Sequence, residues 1–364
     1  MMISSLRPSV LLPLLLLVLL AFVPLLASAF DAQFYIGFFA RILIYALAAS
    51  ALNLALGYGG LIGFGHALFI GLGAYCVALP SFFGIENGWI QLLLAVLISG
   101  VVGLLTGAIS LRTRGIAFIM ITLAFSQMGY FVFVSLKQFG GDDGISIQAT
   151  SRLSAGIDLG SVVPLYYAAW LVLVAALLWL AKLRTAPFGM VLRGARQNFT
   201  RVNALGFNAM RFQMTAYGIS AALCGVAGFL MANLNAYVSP AMMSWQTSGE
   251  LIAMVVLGGM GSVFGPLLGV LAFVGIEEIM KSYTDHWMLI FGPIIVLVAL
   301  SGKNGILGGL IALDRWIERP RRAVIAPVAF PASASASASA SVPASPTSTN
   351  ATASVNMAVQ GAEK

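Results

Sequence analysis

Apolar residues in this chain gather into ten runs divided by short polar breaks, and most of the runs are long enough to cross a bilayer. A hydrocarbon core takes about 20 apolar residues per helix, and shorter spans are tolerated inside a bundle. The predicted spans are 10–30, 34–56, 61–79, 89–111, 115–136, 164–181, 212–233, 249–263, 265–280 and 287–301. The eighth and ninth are short and rich in glycine, which leaves room for one broken or re-entrant unit there. The pattern predicts an all-α fold, a polytopic membrane helix bundle of about ten spans. The expected organisation is an N-terminal span in 1–33, a transmembrane domain over 34–302 with a loop at 182–211, and a basic segment at 303–325. From 326 to 364 the chain turns to Ala, Ser and Pro, with strict Ser-Ala alternation from Ala332 to Ser341. Such a composition cannot bury a core and predicts a disordered tail.

Charge gives the spans a direction. Lys and Arg favour the cytoplasmic side of short loops. Arg7 precedes the first span, Arg112 and Arg114 separate the fourth and fifth, and Lys303, Arg315, Arg319, Arg321 and Arg322 follow the last. Ten crossings put all of these, and the 182–211 loop, in the cytoplasm, with both termini there too. Glu86, Asp142, Asp143, Asp158 and Asp285 then fall outside. Arg7, the apolar run and Ala27-Ser28-Ala29 also fit a cleavable signal peptide, but the run from Val10 to Ala27 is long for one. A retained first span is therefore expected. Only 9% of the residues are charged and the mean hydropathy is +0.97, against about 25% charged in a soluble domain. The net charge of +7 follows from the basic loops, and no basic-aromatic patch points to nucleic acid. Cys76 and Cys224 lie far apart in apolar runs, which fits small buried side chains and offers no metal site.

The loop between the sixth and seventh spans has a pattern of its own. From Lys182 to Arg211 it holds six basic residues and no acidic one. Val191 or Leu192, Ala195, Phe199, Val202 and Leu205 recur at steps of three to four, with Arg193, Gln197 and Arg201 on another face. This predicts a short amphipathic helix at the cytoplasmic surface. It can lie in the headgroups or present a face to a cytoplasmic partner. In the partner reading Phe199 is the apolar anchor, with Arg193, Arg196 and Arg201 around it.

Small residues recur every fourth position at Gly59, Gly63, Ala67 and Gly71, and again at Gly261, Gly265 and Gly269. Each set predicts one helix face, for packing or for lining a path. Polar residues inside spans are few: Asn53, His66, Gln127, Asn233 and Glu250, with Glu277 and Glu278 nearer the outer surface. Asn53 and Gln127 can bond across helices, and His66 can hold a backbone carbonyl or meet a solute. Glu250 starts its predicted span, as an interfacial or helix-start charge. Arg41, near the outer end of the second span, can snorkel outward. No phosphate loop, HExxH or nucleophile elbow occurs in the sequence. No catalytic residue or cofactor is expected, and a path with little charge and no motor of its own suggests a motor on another subunit. The rival is an ion-coupled transporter using Glu250 or Glu277.

Several longer motifs are specific when taken together. They are Asn53-Leu54-Ala55-Leu56-Gly57-Tyr58-Gly59-Gly60 with the following GFGHALFIGLGAY, Leu111-Arg112-Thr113-Arg114-Gly115-Ile116-Ala117-Phe118, Gly140-Gly141-Asp142-Asp143-Gly144, Ala204-Leu205-Gly206, Val238-Ser239-Pro240, and Val255-Val256-Leu257-Gly258-Gly259-Met260-Gly261-Ser262 with Gly265-Pro266. Over 34–302 the chain resembles the permeases of branched-chain amino acid ABC transporters, in particular their longer membrane subunit. The resemblance implies an inner-membrane importer subunit with a second permease subunit, cytoplasmic ATP-binding subunits and a periplasmic solute-binding protein as partners. It matches the family's coupling loop to 189–207, including Ala204, Leu205 and Gly206. Family members usually carry acidic residues after the arginine matching Arg196, where this chain has Gln197, Asn198 and Phe199. Related systems carry urea, short amides or aromatic acids, and solute choice is expected mainly from the binding protein.

Overall fold

The computed structural model describes residues 8–29, 33–147, 150–153 and 157–283, together with 286, 289, 292, 293, 296 and 305–309. Most of the tenth predicted span, most of the basic segment at 303–325, and the tail lie outside the described residues, as does Arg7. Each of the first nine predicted spans meets a helix. These are α1 (Pro8–Ala29), α2 (Gln33–Asn53), α3 (His66–Phe82), α4 (Gly88–Ser110), α5 (Ile116–Ser135), α6 (Val162–Thr185), α9 (Ala209–Asn235), α10 (Trp245–Gly258) and α11 (Gly265–Tyr283). Between α6 and α9 lie α7 (Pro187–Gln197) and α8 (Phe199–Ala204).

Buried α2, α3 and α9 form the centre, and α4, α6, α10 and α11 pack around them. Outer helices leave apolar side chains uncovered, as at Leu93, Leu97, Val101 and Leu105 of α4 and Met120 and Phe131 of α5. In a membrane protein that is the lipid-facing side. Glycine sets how closely the central helices approach. A Cβ on Gly73 of α3 would fall 2.0 Å from the carbonyl oxygen of Gly225 in α9, and one on Gly228 would fall 1.9 Å from that of Ile70. These are backbone-to-backbone contacts of the kind small residues permit.

Two expectations change. The four-residue period of Gly59, Gly63, Ala67 and Gly71 is not one helix face. After Asn53 the backbone widens into a π-helical turn at Leu54–Tyr58, and from 60 to 65 it is irregular, so α3 starts only at His66. Gly60, at φ +70°, makes that exit possible without a Cβ clash. Irregular backbone at membrane depth survives where protein covers it and supplies partners. Here Thr122 Oγ1 accepts from the Phe64 amide at 3.1 Å and Ser248 Oγ from the Ala67 amide at 3.0 Å. The second set likewise leaves the helix: Gly261, at φ +79°, lies in the turn after α10 and Gly265 opens α11.

The other change is at α10, whose 14 residues rise about 21 Å, short of the roughly 30 Å core. It begins at Trp245 because Ser244 caps it, so Glu250 is inside the helix rather than at its start. The turn at 259–264 then folds α11 back along α10, with Gly258 and Gly269 against each other's backbones. On the side assigned outside, two distant motifs meet. Ile145 pairs with Val238 and Ser146 with Tyr237 in a two-residue antiparallel ladder, and Tyr237 donates its hydroxyl to the Asp143 carbonyl at 2.5 Å.

Candidate functional site

The basic loop folds as two helices where one was expected. Pro187 fits the first turn of α7, where its missing N–H costs nothing. The helix stops at Asn198, whose backbone is extended and whose side-chain oxygen accepts from the Arg201 amide at 2.9 Å. That cap starts α8, so Arg193, Gln197 and Arg201 do not share one continuous face. Gly206, at φ +89°, ends α8: the Phe207 amide reaches back to the Val202 carbonyl at 3.3 Å and the Gly206 amide to that of Asn203 at 3.0 Å. This is the left-handed C-cap that favours glycine, which accounts for Gly206 in the Ala204-Leu205-Gly206 motif.

The inner face of α7 and α8 buries Leu192, Ala195 and Val202, with Phe199 half-buried beside them. Gly189 lets α7 lie against the end of α6, since a Cβ there would be 2.3 Å from the Leu183 carbonyl oxygen. Arg193 fastens the corner, donating from Nε to the Gly189 carbonyl and from Nη2 to that of Arg184, both at 3.2 Å.

Beneath these helices is a cavity of about 350 Å³ bounded by the 59–62 backbone, the α4–α5 turn, Arg196 and Phe199. Arg196 crosses it and donates from Nη1 to the Gly57 carbonyl at the π-helical end of α2. Its methylenes lie against Gly60, where a Cβ would be 2.8 Å from Arg196 Cγ. Gln213 Nε2 donates to the Gly59 carbonyl at 3.4 Å. On the far wall the Arg114 guanidinium carbon sits 3.7 Å from the centre of the Phe199 ring, a cation–π contact. So Phe199, expected to face a partner, has its ring covered by an arginine of its own chain.

Asn53 extends the junction. Its Nδ2 donates to the Ser262 carbonyl at 2.7 Å and its Oδ1 accepts from the Gly261 amide at 2.9 Å. One side chain thus clamps the α10–α11 turn to α2, one turn from the carbonyl that Arg196 holds. Gly57 must be glycine-sized there, because a Cβ would meet Asn53 Oδ1 at 2.0 Å. Gly265, the first residue of α11, closes the same turn, its amide donating to Ser262 Oγ at 3.0 Å.

Other expected residues stand apart. His66 is fully buried; Ser220 donates to the Ala51 carbonyl at 2.5 Å, so its oxygen accepts from His66 Nε2–H at 3.0 Å. The histidine therefore ties α3 to α9 and α2 through a serine, and it also bonds the backbone of Gly63. Gly63 faces Phe118 and Thr122. Gln127 is half-buried on α5 with no hydrogen bond to a described residue, and Glu250 is exposed on α10. Arg201, Ala204, Leu205 and Gly206 are exposed on the outer side of α8. The large apolar side chains uncovered in this segment are Met190, Leu205 and Phe207, at 55%, 71% and 48% exposure. Met190 lies on α7 away from the buried Leu192 and Ala195, Phe207 follows the Gly206 cap beyond α8, and Arg114 is remote in sequence.

The family model for the permease component of the branched-chain amino acid transport system matches residues 34–299. The high-affinity branched-chain amino acid transport system permease protein LivM of Salmonella typhimurium is 31% identical over 288 residues, covering 73% of this chain and 68% of that protein. LivM of Escherichia coli is 30% identical over 289 residues, with the same shares. The permease protein LivH of Escherichia coli is 25% identical over 282 residues, covering 72% of this chain and 91% of LivH. No solved structure matches the chain.

Proposed function

This chain belongs to the permease family of the branched-chain amino acid transport system, and on that premise we propose that it is a membrane-spanning subunit of an ABC importer for branched-chain amino acids. Solute arrives from a periplasmic binding protein, passes along a bundle completed by a second permease subunit, and is driven by ATP hydrolysis on cytoplasmic subunits. The chain sits in the inner membrane with α7 and α8 and both termini cytoplasmic.

The observation that carries this reading is the Arg196 bond to the Gly57 carbonyl. A surface helix that only marked topology would not need to hold the backbone of a central span. In the proposed cycle the ATPase displaces α7 and α8. Arg196 then draws on the end of α2, Phe199 moves the α4–α5 turn through Arg114, and Asn53 carries the α10–α11 turn along. The irregular 60–65 stretch yields because no i→i−4 ladder stiffens it. Arg193 and Arg196 hold the lever, and Arg201, Ala204, Leu205 and Gly206, with Met190 and Phe207, meet the ATPase. The missing carboxylates at 197–199 leave that contact mainly apolar.

Apolar anchors in a buried interface often contribute about 2 kcal/mol or more on truncation, and exposed charge pairs about 0–1 kcal/mol. Leu205→Ala and Phe207→Ala should therefore each reduce co-purification of the ATPase more than Arg201→Ala does, while the membrane bundle stays folded. Equal co-purification in all three variants would show that α8 is not the contact, and uptake driven by a proton or sodium gradient without ATP would remove the importer reading.

A further inference from the structure

The outer half of α2 carries a cation that the coupling junction does not use. Arg41 stands about 12 Å along the helix from Gln33, and its guanidinium carbon lies 5.7 Å from the centre of the Tyr45 ring. Among the described residues no carboxylate is within ion-pair distance of it. Arg41 and Tyr45 together wall two adjoining cavities. The larger, about 240 Å³, has Ile70, Met231 and Met242 as its apolar lining and Thr247 on its rim. The smaller is edged by Glu250, Glu277 and Glu278, and Lys281 there is drawn to Glu277 at 2.6 Å. The apolar side is firmly built, because Ile70 lies where its carbonyl meets Gly228 of α9 backbone to backbone.

Ionisable residues within a membrane domain face the bundle interior or a water-filled space. A lipid phosphate would answer the arginine but not the carboxylates beside it. A basic group, an apolar lining and an acidic wall side by side match three parts of one small molecule.

We propose that this cleft is a transient subsite for the cargo, an α-amino acid zwitterion with an apolar side chain. Arg41 receives the carboxylate, the side chain rests on Ile70, Met231 and Met242, and the acidic wall faces the ammonium group. The proposal rests on the importer reading above and assigns the solute a resting place on this subunit. Occupancy must be weak, because a site on a conduction path has to release what it takes.

The test uses the complete transport complex in vesicles, with Met242→Cys as reporter and Cys76 and Cys224 buried in the native chain. L-leucine should slow alkylation of the new thiol severalfold, and L-leucinol, which lacks the carboxylate, should not. Arg41→Gln should abolish that protection and lower leucine uptake roughly tenfold or more below saturation, the value of a lost charge-assisted hydrogen bond. Arg41→Lys should recover part of both. Should Met242→Cys perturb the cleft, the uptake of the Arg41 variants alone still decides. Vesicles that import leucine on ATP yet show neither protection nor an Arg41 effect would overturn the subsite and leave the importer reading intact. Vesicles that do not import leucine at all would overturn both.

Discussion

Asn53 serves two backbone groups of the α10–α11 turn with a single amide, and the two halves of that amide can be separated by substitution. Asn53→Leu leaves the half-buried Gly261 amide and Ser262 carbonyl without their partner, each at no more than the roughly 1–3 kcal/mol that a fully buried group costs. Asn53→Asp keeps the acceptor and loses the donor. The expected order of thermal stability in detergent is wild type, then Asp, then Leu, and a Leu variant as stable as the wild type would show that the clamp contributes nothing. At the other wall of the junction, Arg114→Gln removes a cation–π contact worth about 0.5–2 kcal/mol without opening a core. ATPase association should persist while fewer solute molecules move per ATP hydrolysed, and an unchanged ratio would separate Arg114 from coupling. Asn53 and His66 stand out in the sequence as polar side chains inside apolar runs. Their partners do not, because Gly261 is 208 residues from Asn53 and Ser220 is 154 from His66, and no periodicity links positions so distant.

α1 shows how an element is secured by what it lacks. Pro24 has no amide hydrogen, so the Leu20 carbonyl one turn before it has no helical donor. The Tyr166 hydroxyl of α6 fills that place at 2.5 Å, and Trp170 Nε1 reaches the Leu17 carbonyl at 3.0 Å. A segment held this way is expected to stay with the protein. Mass spectrometry of the purified chain should find residues 10–27 present, and a mature terminus near residue 30 would contradict it. Tyr166→Phe should lower stability by about 1–3 kcal/mol by leaving the carbonyl bare. Hydrophobic runs locate the helices well, because lipid and core both demand apolar length. They miss the unwound 60–65 stretch, since a glycine period reads as a helix face whether or not the backbone stays helical. Backbone contact, not the period, decides which glycines matter. Gly73→Leu should abolish folded protein, while Gly37→Leu, with no atom within 4 Å of its Cβ position, should express normally. Normal expression of both would mean that α3 and α9 can separate at little cost.

At the scale of the whole molecule, the direction across the membrane proposed from the basic loops can be tested with two cysteines. Ser146→Cys should react with an impermeant reagent from outside, and Thr200→Cys only after the cytoplasmic face is opened. Reversed reactivity would invert the assignment of α7 and α8. The junction has a further consequence during synthesis. α2 is made early, yet the amide of Asn53 finds its partners only when residues 261 and 262 exist. At about 5–20 residues per second, that delay is roughly 10–40 s, during which neither native partner of the Asn53 amide exists. The expected outcome is that α2 stays beside the insertion machinery until the last third of the chain arrives. Ribosome-held chains that stop short of Gly261 should still cross-link to that machinery through α2, and chains carried past the α10–α11 turn should be released from it.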